Sequence, residues 1–455
     1  MSPAIDKPNS SEPSSLKEQI MRLTLTVISR VLVLFLALQP AMFAMSTWYV
    51  NGVSGNDGNN CKSPTQPCKT IGHAISLASS GDTVMVASGT YNENLNIAYS
   101  LTIIGPAAST TILDGQQRGT GGHDIQRRRQ SYSRQPNHPK WQGGRGGGIN
   151  NSGTLTVNSS VLSGNVASLV NCHTPPCVAE GGGIDNMGTL TLNNTILRGN
   201  SATEQGAALG GAAGGGIYNF GGTVEINNTT LSGNTASFAQ CQYLCGASGG
   251  AISSEGTLTI NNSTVSRNST SSDRHIRSSG GGIINLRSAA VNNSTITGNR
   301  AESAGGGIEN PEGSTLTINN STLNENSAAD GGAIGSYMST VILQNSIVAN
   351  SPSGGNCSGT MTSTGYNLSS DGTCYFNGPG DMNNINPFLG PLKNNGGPTP
   401  TMALLEGSPA IDAANPLGCT DGAGHLLKTD QRGMPRPDKE DTGGCDMGAY
   451  ERQSD

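Results

Sequence analysis

The carboxylates at inward or face-exposed positions of the repetitive coils are Asp185, Glu225, Glu255, Glu309, Glu312, Glu325 and Asp330. Carboxyls in pairs or triplets can act as acid and base in the hydrolysis of a glycosidic bond. Here they are thinly spaced. Asp185 and Glu309 hold equivalent places in their repeats but stand several repeats apart, and Glu225 is alone in its strand. Arg198, Arg267, Arg274, Arg277 and Arg287 are equally scattered and read as solvated surface charges. The sequence therefore assigns no catalytic residue.

Metal and phosphate chemistry are no better supported. The ten cysteines fall as close neighbours: Cys61 and Cys68, Cys172 and Cys177, Cys241 and Cys245, Cys357 and Cys374, Cys419 and Cys445. Their spacings are irregular and no histidine lies in ligand register with them, which argues against zinc. Nearest-neighbour pairing into five disulfides suits an oxidising compartment. The glycine-rich stretches lack the Lys-Ser/Thr pair and following helix of a phosphate loop, so they read as tight corners. No calcium-binding nonapeptide run is present. No cofactor and no metal residue are assigned.

What would position any site is a repeat. A glycine doublet or triplet followed by Ile recurs at Gly146–Ile149, Gly181–Ile184, Gly214–Ile217, Gly249–Ile252, Gly280–Ile283, Gly305–Ile308 and Gly331–Ile334. Each is followed by an alternating run, such as Thr189–Leu197 or Thr315–Leu323. Alternation with β-branched residues predicts a strand with one face inward. Units of this kind cannot stand alone, but stacked at about 4.8 Å they bury a continuous core. The fold class is all-β: a right-handed single-stranded parallel β-helix with a short N-terminal capping helix over Thr70–Ala78. Gly is 65 residues and aromatics are 4%, which suits a core of small repeated aliphatic layers.

Asparagine recurs in three columns. One is Asn151, Asn186, Asn219, then Ser254, Asn285, Asn310 and Ser336; a second is Asn194, Asn228, Asn262, Asn293, Asn320 and Asn345; a third is Asn165, Asn200, Asn234, Asn268, Asn299 and Asn326. All three are expected to form amide ladders along the stack, rather than glycosylation sites. Extra residues before the glycine anchors, Val166–Glu180, Ser201–Ala213 and Ala236–Ser248, are expected to loop out on one side. Such loops often form a solenoid's binding surface.

The domains divide as follows. Residues 1–46 are a polar leader and a secretory signal peptide, with Arg22 and Arg30 before the apolar run Val31–Leu38. The run is short for a membrane span, and none is expected in the mature chain. Residues 47–115 form the cap and first coils, 146–356 the glycine- and asparagine-rich coils, and 357–455 the final coils and C-terminal region. Residues 116–145 break the pattern with Arg127–Arg129, Arg134, His138 and Lys140. That stretch reads as a polyanion-binding loop or as a coil translated out of frame. Net charge is −6, and no nucleic-acid partner is expected.

Three resemblances add to this. Gly81-Asp-Thr-Val together with Gly89-Thr-Tyr91 resembles the first coil of pectin-lyase-like β-helix proteins. Asn386–Gly390, Gly407–Asp412, Asp430–Arg436 and Cys445–Glu451 resemble the choice-of-anchor Q region of bacterial surface proteins. The repeats resemble those of the polymorphic outer membrane protein family, whose passengers are adhesin-like, although that family's translocating barrel is absent. Asp430, Arg432, Asp446 and Glu451 are expected to form a buried clamp that closes the last coil. The resemblances imply a secreted or cell-surface protein, adhesin-like and non-catalytic, that binds polysaccharide or other surface ligands. The alternatives are a lyase or hydrolase of acidic polysaccharide, the lyase with Ca²⁺ as cofactor, and a purely structural or degenerate product.

Overall fold

The computed structural model describes residues 45–107, 110–115, 144–172, 177–207, 209–241, 244–273, 278–421, 424–438 and 444–453. Residues 1–44, where the leader and signal peptide are expected, residues 116–143, and Arg274 and Arg277 lie outside them. Among the described residues, no helix is long and apolar enough to cross a membrane.

The chain winds as a right-handed parallel β-helix with three faces. Face 1 is an eleven-stranded parallel sheet that includes Thr154–Asn158 and Thr189–Asn193. Face 2, also eleven-stranded, includes Val161–Ser163 and Ile196–Arg198. Face 3 has nine strands, among them Ile149–Asn151 and Ile184–Asn186. Inward columns are aliphatic from coil to coil. On face 3 they run Ile149, Ile184, Ile217, Ile252, Ile283, Ile308 and Ile334, all buried. On face 2 they run Leu162, Leu197, Leu231, Val265, Ile296, Leu323 and Val348. Each such side chain contributes roughly 1.5–3 kcal/mol through burial.

The glycine anchor marks the corner into face 3. Gly181 has φ +63°, and a Cβ on Gly182 would stand 2.3 Å from the Gly215 carbonyl oxygen. Larger residues there would force the coils apart.

The strands before and after residues 116–143 pair directly. Leu95–Ile97 lies against Ile149–Asn151, Leu101–Ile104 against Leu155–Asn158, and Ile112–Leu113 against Val161–Leu162. The stack is continuous across that interval.

The expected loops are strands. Val166–Val170, Ser201–Gln205, Thr235–Ala239 and Ser269–Ser272 form one four-stranded parallel sheet. Cys177–Glu180, Leu209–Ala213, Leu244–Ser248 and Ser278–Ser279 form another. Together they make a wing beside the coils, with Ala179, Ala202, Ala212, Ala236 and Ala247 packed inside it. The strands succeed because equal excursions in neighbouring coils can pair with each other. Disulfides Cys172–Cys177 and Cys241–Cys245 close two of its tips. The pairs Cys61–Cys68, Cys357–Cys374 and Cys419–Cys445 complete the expected five.

Two asparagine columns are ladders and one is mainly something else. The third column is fully buried, and its side-chain amides donate in sequence from Asn165 to Asn200, Asn234, Asn268, Asn299 and Asn326 at 2.8–2.9 Å. The first column ladders in the same way, as from Asn151 to Asn186 at 2.7 Å. The second column, Asn194 to Asn345, sits at φ between 46° and 51°, in the left-handed region that asparagine tolerates. Its continuous ladder lies one residue earlier, on the outside of face 1, through Asn158, Asn193, Asn227, Asn261, Asn292 and Asn319.

The N-terminal cap holds to its expected place, with a helix over Ile71–Leu77. Thr70 Oγ1 accepts from the His73 amide at 3.2 Å, and Glu93 accepts from the Ile71 and Gly72 amides. Ile71, Ala74 and Ile75 cover the first coil, hiding a stack end that would otherwise pair with other chains.

The C-terminal region is a lateral strap along face 2 rather than a plug on the last coil. The Thr264 hydroxyl donates to the Pro400 carbonyl, Thr295 to Gln431 Oε1, and the Ala449 amide donates to Thr322 Oγ1. Of the expected clamp, Asp430 and Arg432 form a buried ion pair at 2.7 Å, while Glu451 pairs at 2.7 Å with Arg436, a residue outside the expected set. The strap settles on face 2 because outward Thr264, Thr295 and Thr322 are short and offer hydroxyls to bond.

Candidate functional site

The angle between the wing and face 3 gathers several side chains with perturbed chemistry. Glu180 ends the returning wing strand, and Asp185 is the middle residue of the next face 3 strand. Only the Gly181–Gly183 corner separates them, so both side chains meet the same angle. Arg145 stands one coil before Glu180 in bridge register, with its Nε 2.7 Å from Glu180 Oε2. Tyr218 takes the register position of Asp185 one coil later. Its hydroxyl donates to Glu255 Oε1 at 2.7 Å.

Burial governs the electrostatics. Glu180 is pushed up to about 7, first by burial, against the pull of Arg145 and with the push of Asp185 and Glu255. Asp185 is pushed up to about 6 by burial, with Arg145 opposing. The Tyr218 hydroxyl is raised too, by burial and then by the charge of Glu180. Asp185 is 1% exposed, and neither of its carboxyl oxygens has a hydrogen-bond partner within the described protein. A buried polar group left in that state costs about 1–3 kcal/mol.

An apolar ridge borders the cluster. The residues that follow the face 3 strands run Phe220, Glu255, Leu286, Pro311 and Tyr337 over successive coils, so Phe220, Leu286 and Tyr337, at 39%, 40% and 65% exposed, stand at every second coil with Glu255 between the first two. The Phe220 ring lies 6.3 Å from that of Tyr218, at an interplanar angle of 25°. A hydroxyl-bearing ligand could lay apolar faces on this ridge and turn polar edges toward Asp185.

Of the carboxylates weighed from the sequence, Asp185 and Glu255 enter this cluster. Glu309 does not; it is buried farther along face 3 and raised to about 7 by burial and then by Asp330. Glu225, Glu312, Glu325 and Asp330 are exposed, as are Arg198, Arg267 and Arg287. Sequence reasoning missed Glu180, Tyr218 and Arg145. The signal was their distance from the glycine anchors: Glu180 immediately precedes one, and Tyr218 follows another's Ile217. Among the described residues, the one grouping of metal-type donors is Cys61, Cys68 and His73. Its two sulfurs are bonded to each other.

Comparison with known proteins gives one family. A family model described as "Protein of unknown function (DUF1565)" matches residues 53–282. No curated protein matches the chain. Among solved structures, a rhamnogalacturonan lyase is similar at 12% identity and TM-score 0.41, covering 80% of this chain and 96% of its own. A pectate lyase is similar at 12% identity and TM-score 0.40, covering 90% and 98%. A GH136 lacto-N-biosidase from Eubacterium ramulus is similar at 12% identity and TM-score 0.34, covering 71% and 64%.

Proposed function

The chain belongs to the DUF1565 family of proteins of unknown function, and from that premise we propose that it is an extracellular β-helix that binds glycans in the angle between wing and face 3. The observation that carries this reading is Asp185, a buried carboxyl with two unpartnered oxygens beside an exposed apolar ridge. Those oxygens are closed to solvent, so sugar hydroxyls would reach them only with a shift of the side chains that cover them, while the exposed Phe220 and Leu286 would receive pyranose faces. Three carboxyls against one guanidinium disfavour a polyuronate, so the ligand class is a neutral glycan. The leader sequence and five disulfides support export. The choice-of-anchor Q-like and polymorphic outer membrane protein-like motifs support an adhesin-like role at a cell surface.

A second reading has its own support. Carboxyls raised to about 7 and about 6 keep an acid available near neutral pH, as glycosidic bond cleavage requires. One experiment separates the two. The purified protein is incubated with neutral and acidic polysaccharides, and retention and new chain ends are both measured. Retention on a neutral glycan without product, weakened by Asp185→Asn and Phe220→Ala, is the expected result. New reducing ends would make the cluster catalytic. Unsaturated product from a uronate polymer, abolished by a chelator, would overturn the binding role in favour of a lyase.

A further inference from the structure

Face 1 presents a second surface, remote in chemistry from the acidic angle. Its outward positions over seven consecutive coils form three columns. The first is Thr154, Thr189, Thr223, Thr257, Ser288, Thr315 and Thr340, a hydroxyl at every coil. All of them are exposed. The second column, two residues on, has threonine at 156, 191, 259 and 317, broken by Glu225, Ala290 and Ile342. The third is the outer asparagine ladder, whose successive amides bond at 2.8–3.0 Å.

The strand geometry sets a two-dimensional repeat. Coils follow one another at about 4.8 Å, and alternate residues along a strand at about 6.6 Å. Seven coils make a panel roughly 29 Å by 13 Å. Threonine is stiff at χ1, so its methyl and hydroxyl are fixed before any contact is made. The asparagine ladder pins the third column in the same way. Over these seven coils the strap covers part of face 2 and the wing flanks face 3; face 1 is exposed along its first column, and the strap reaches its third column at the last two coils, where Asn319 is buried and Thr420 bonds Gln344.

The panel's chemistry narrows what it could meet. Glu225 is its one charged residue, so a polyanion or a charged protein has nothing to pair with. None of its positions is aromatic, so it lacks the stacking platform on which sugar rings lie. What it offers is an uncharged, rigid lattice of alternating methyls and hydroxyls, which orders water and matches an ordered, uncharged solid.

We propose that face 1 binds ice, with the Thr-X-Thr-X-Asn rows of successive coils as the contact lattice. The methyls hold water in cages between the columns, and the hydroxyls and amides anchor that layer by hydrogen bonds. Ordered water on the panel then merges with the ice surface. Glu225 is a flaw in this lattice, because its charge holds water in a competing arrangement.

The test uses the purified protein in three forms: unchanged, Thr191→Tyr/Thr257→Tyr, and Glu225→Thr. The readouts are partition into a slowly grown ice shell, ice-crystal shape and thermal hysteresis, with melting temperature as a fold control. The unchanged protein should enter ice and shape crystals. The double tyrosine variant should lose most of this at unchanged melting temperature, and Glu225→Thr should raise it several-fold. Exclusion of the unchanged protein from ice overturns the proposal. So does partition that ignores both variants, or a panel-dependent retention on crystalline cellulose or chitin without ice binding. Asp185→Asn, on face 3, should leave ice partition unchanged, so the fate of the glycan reading is judged separately.

Discussion

Arg436 Nε lies 2.7 Å from Glu451 Oε2, with both side chains fully buried. The same guanidinium donates to Asn293 Oδ1 at 3.0 Å and to the Gly448 carbonyl at 2.9 Å. The pair thereby ties two turns of the strap to a coil of face 2. Arg436→Ala would leave the Glu451 carboxyl buried without its partner, a loss of about 3–5 kcal/mol. A urea titration should show it. A change near zero would mean that the strap contributes nothing to stability.

The two kinds of asparagine should separate by substitution. Asn234→Ala removes the acceptor of Asn200 and the donor to Asn268, inside the stack. Its cost should be about 1–3 kcal/mol for each group left unpaired. Asn228, at φ 50°, should accept glycine within a few tenths of that scale, whereas Asn228→Val should cost about 1–2 kcal/mol. Equal effects of glycine at both positions would contradict the assignment.

Glu180 and Asp185 predict a pH dependence. Their folded values, about 7 and about 6, lie above the ordinary 4.5 and 3.8. Between pH 4 and pH 7 the folded chain therefore holds protons that the unfolded chain has released, so stability falls as pH rises. Below about pH 4 both states are protonated, and this loss is absent. Asp185→Asn should raise the melting temperature at pH 8, on the order of 2 kcal/mol of stability, and do little at pH 4. Thermal unfolding at the two pH values checks it. An equal shift at both would place the effect in packing rather than charge.

The wing should open independently of the coils. Its interior is alanine-rich, and Cys241–Cys245 closes a loop with a separation of 4 residues. Cys241→Ser/Cys245→Ser should speed amide exchange in Leu244–Ser248 and leave Ile252–Ser254 slow. Faster exchange in both would make the wing part of the central cooperative unit.

The coils were legible because their signal is local and repeated. Gly181, Ile184 and the run from Thr189 announce a corner, an inward residue and a strand within a dozen positions. Other features depend on which coil lies beside which. The wing strands read as loops because Leu209–Ala213, with two glycines among its five residues, has no strand pattern by itself. It is a strand because its neighbours make the same excursion. Glu180 and Tyr218 stand 38 positions apart (218 − 180) and meet only when the glycine anchors are laid in register. The second asparagine column was misread by one residue because Asn193 and Asn194 are adjacent, and only the backbone turn tells them apart.

The strap also works as a splint that counts. It bonds at Thr264, Thr295, Thr322 and, through the Gly448 amide, at Asn345, with at least one attachment to each of four successive coils. Gain or loss of a coil within that span would slide every attachment past its partner. Among the described residues, no such bond ties the strap to the coils before the one that holds Thr264. Recombination between their near-identical repeats could lengthen or shorten the rod there while the splinted end kept its length. Variation in size among relatives of this chain should therefore be polarised, with length polymorphism gathered toward the N-terminal half.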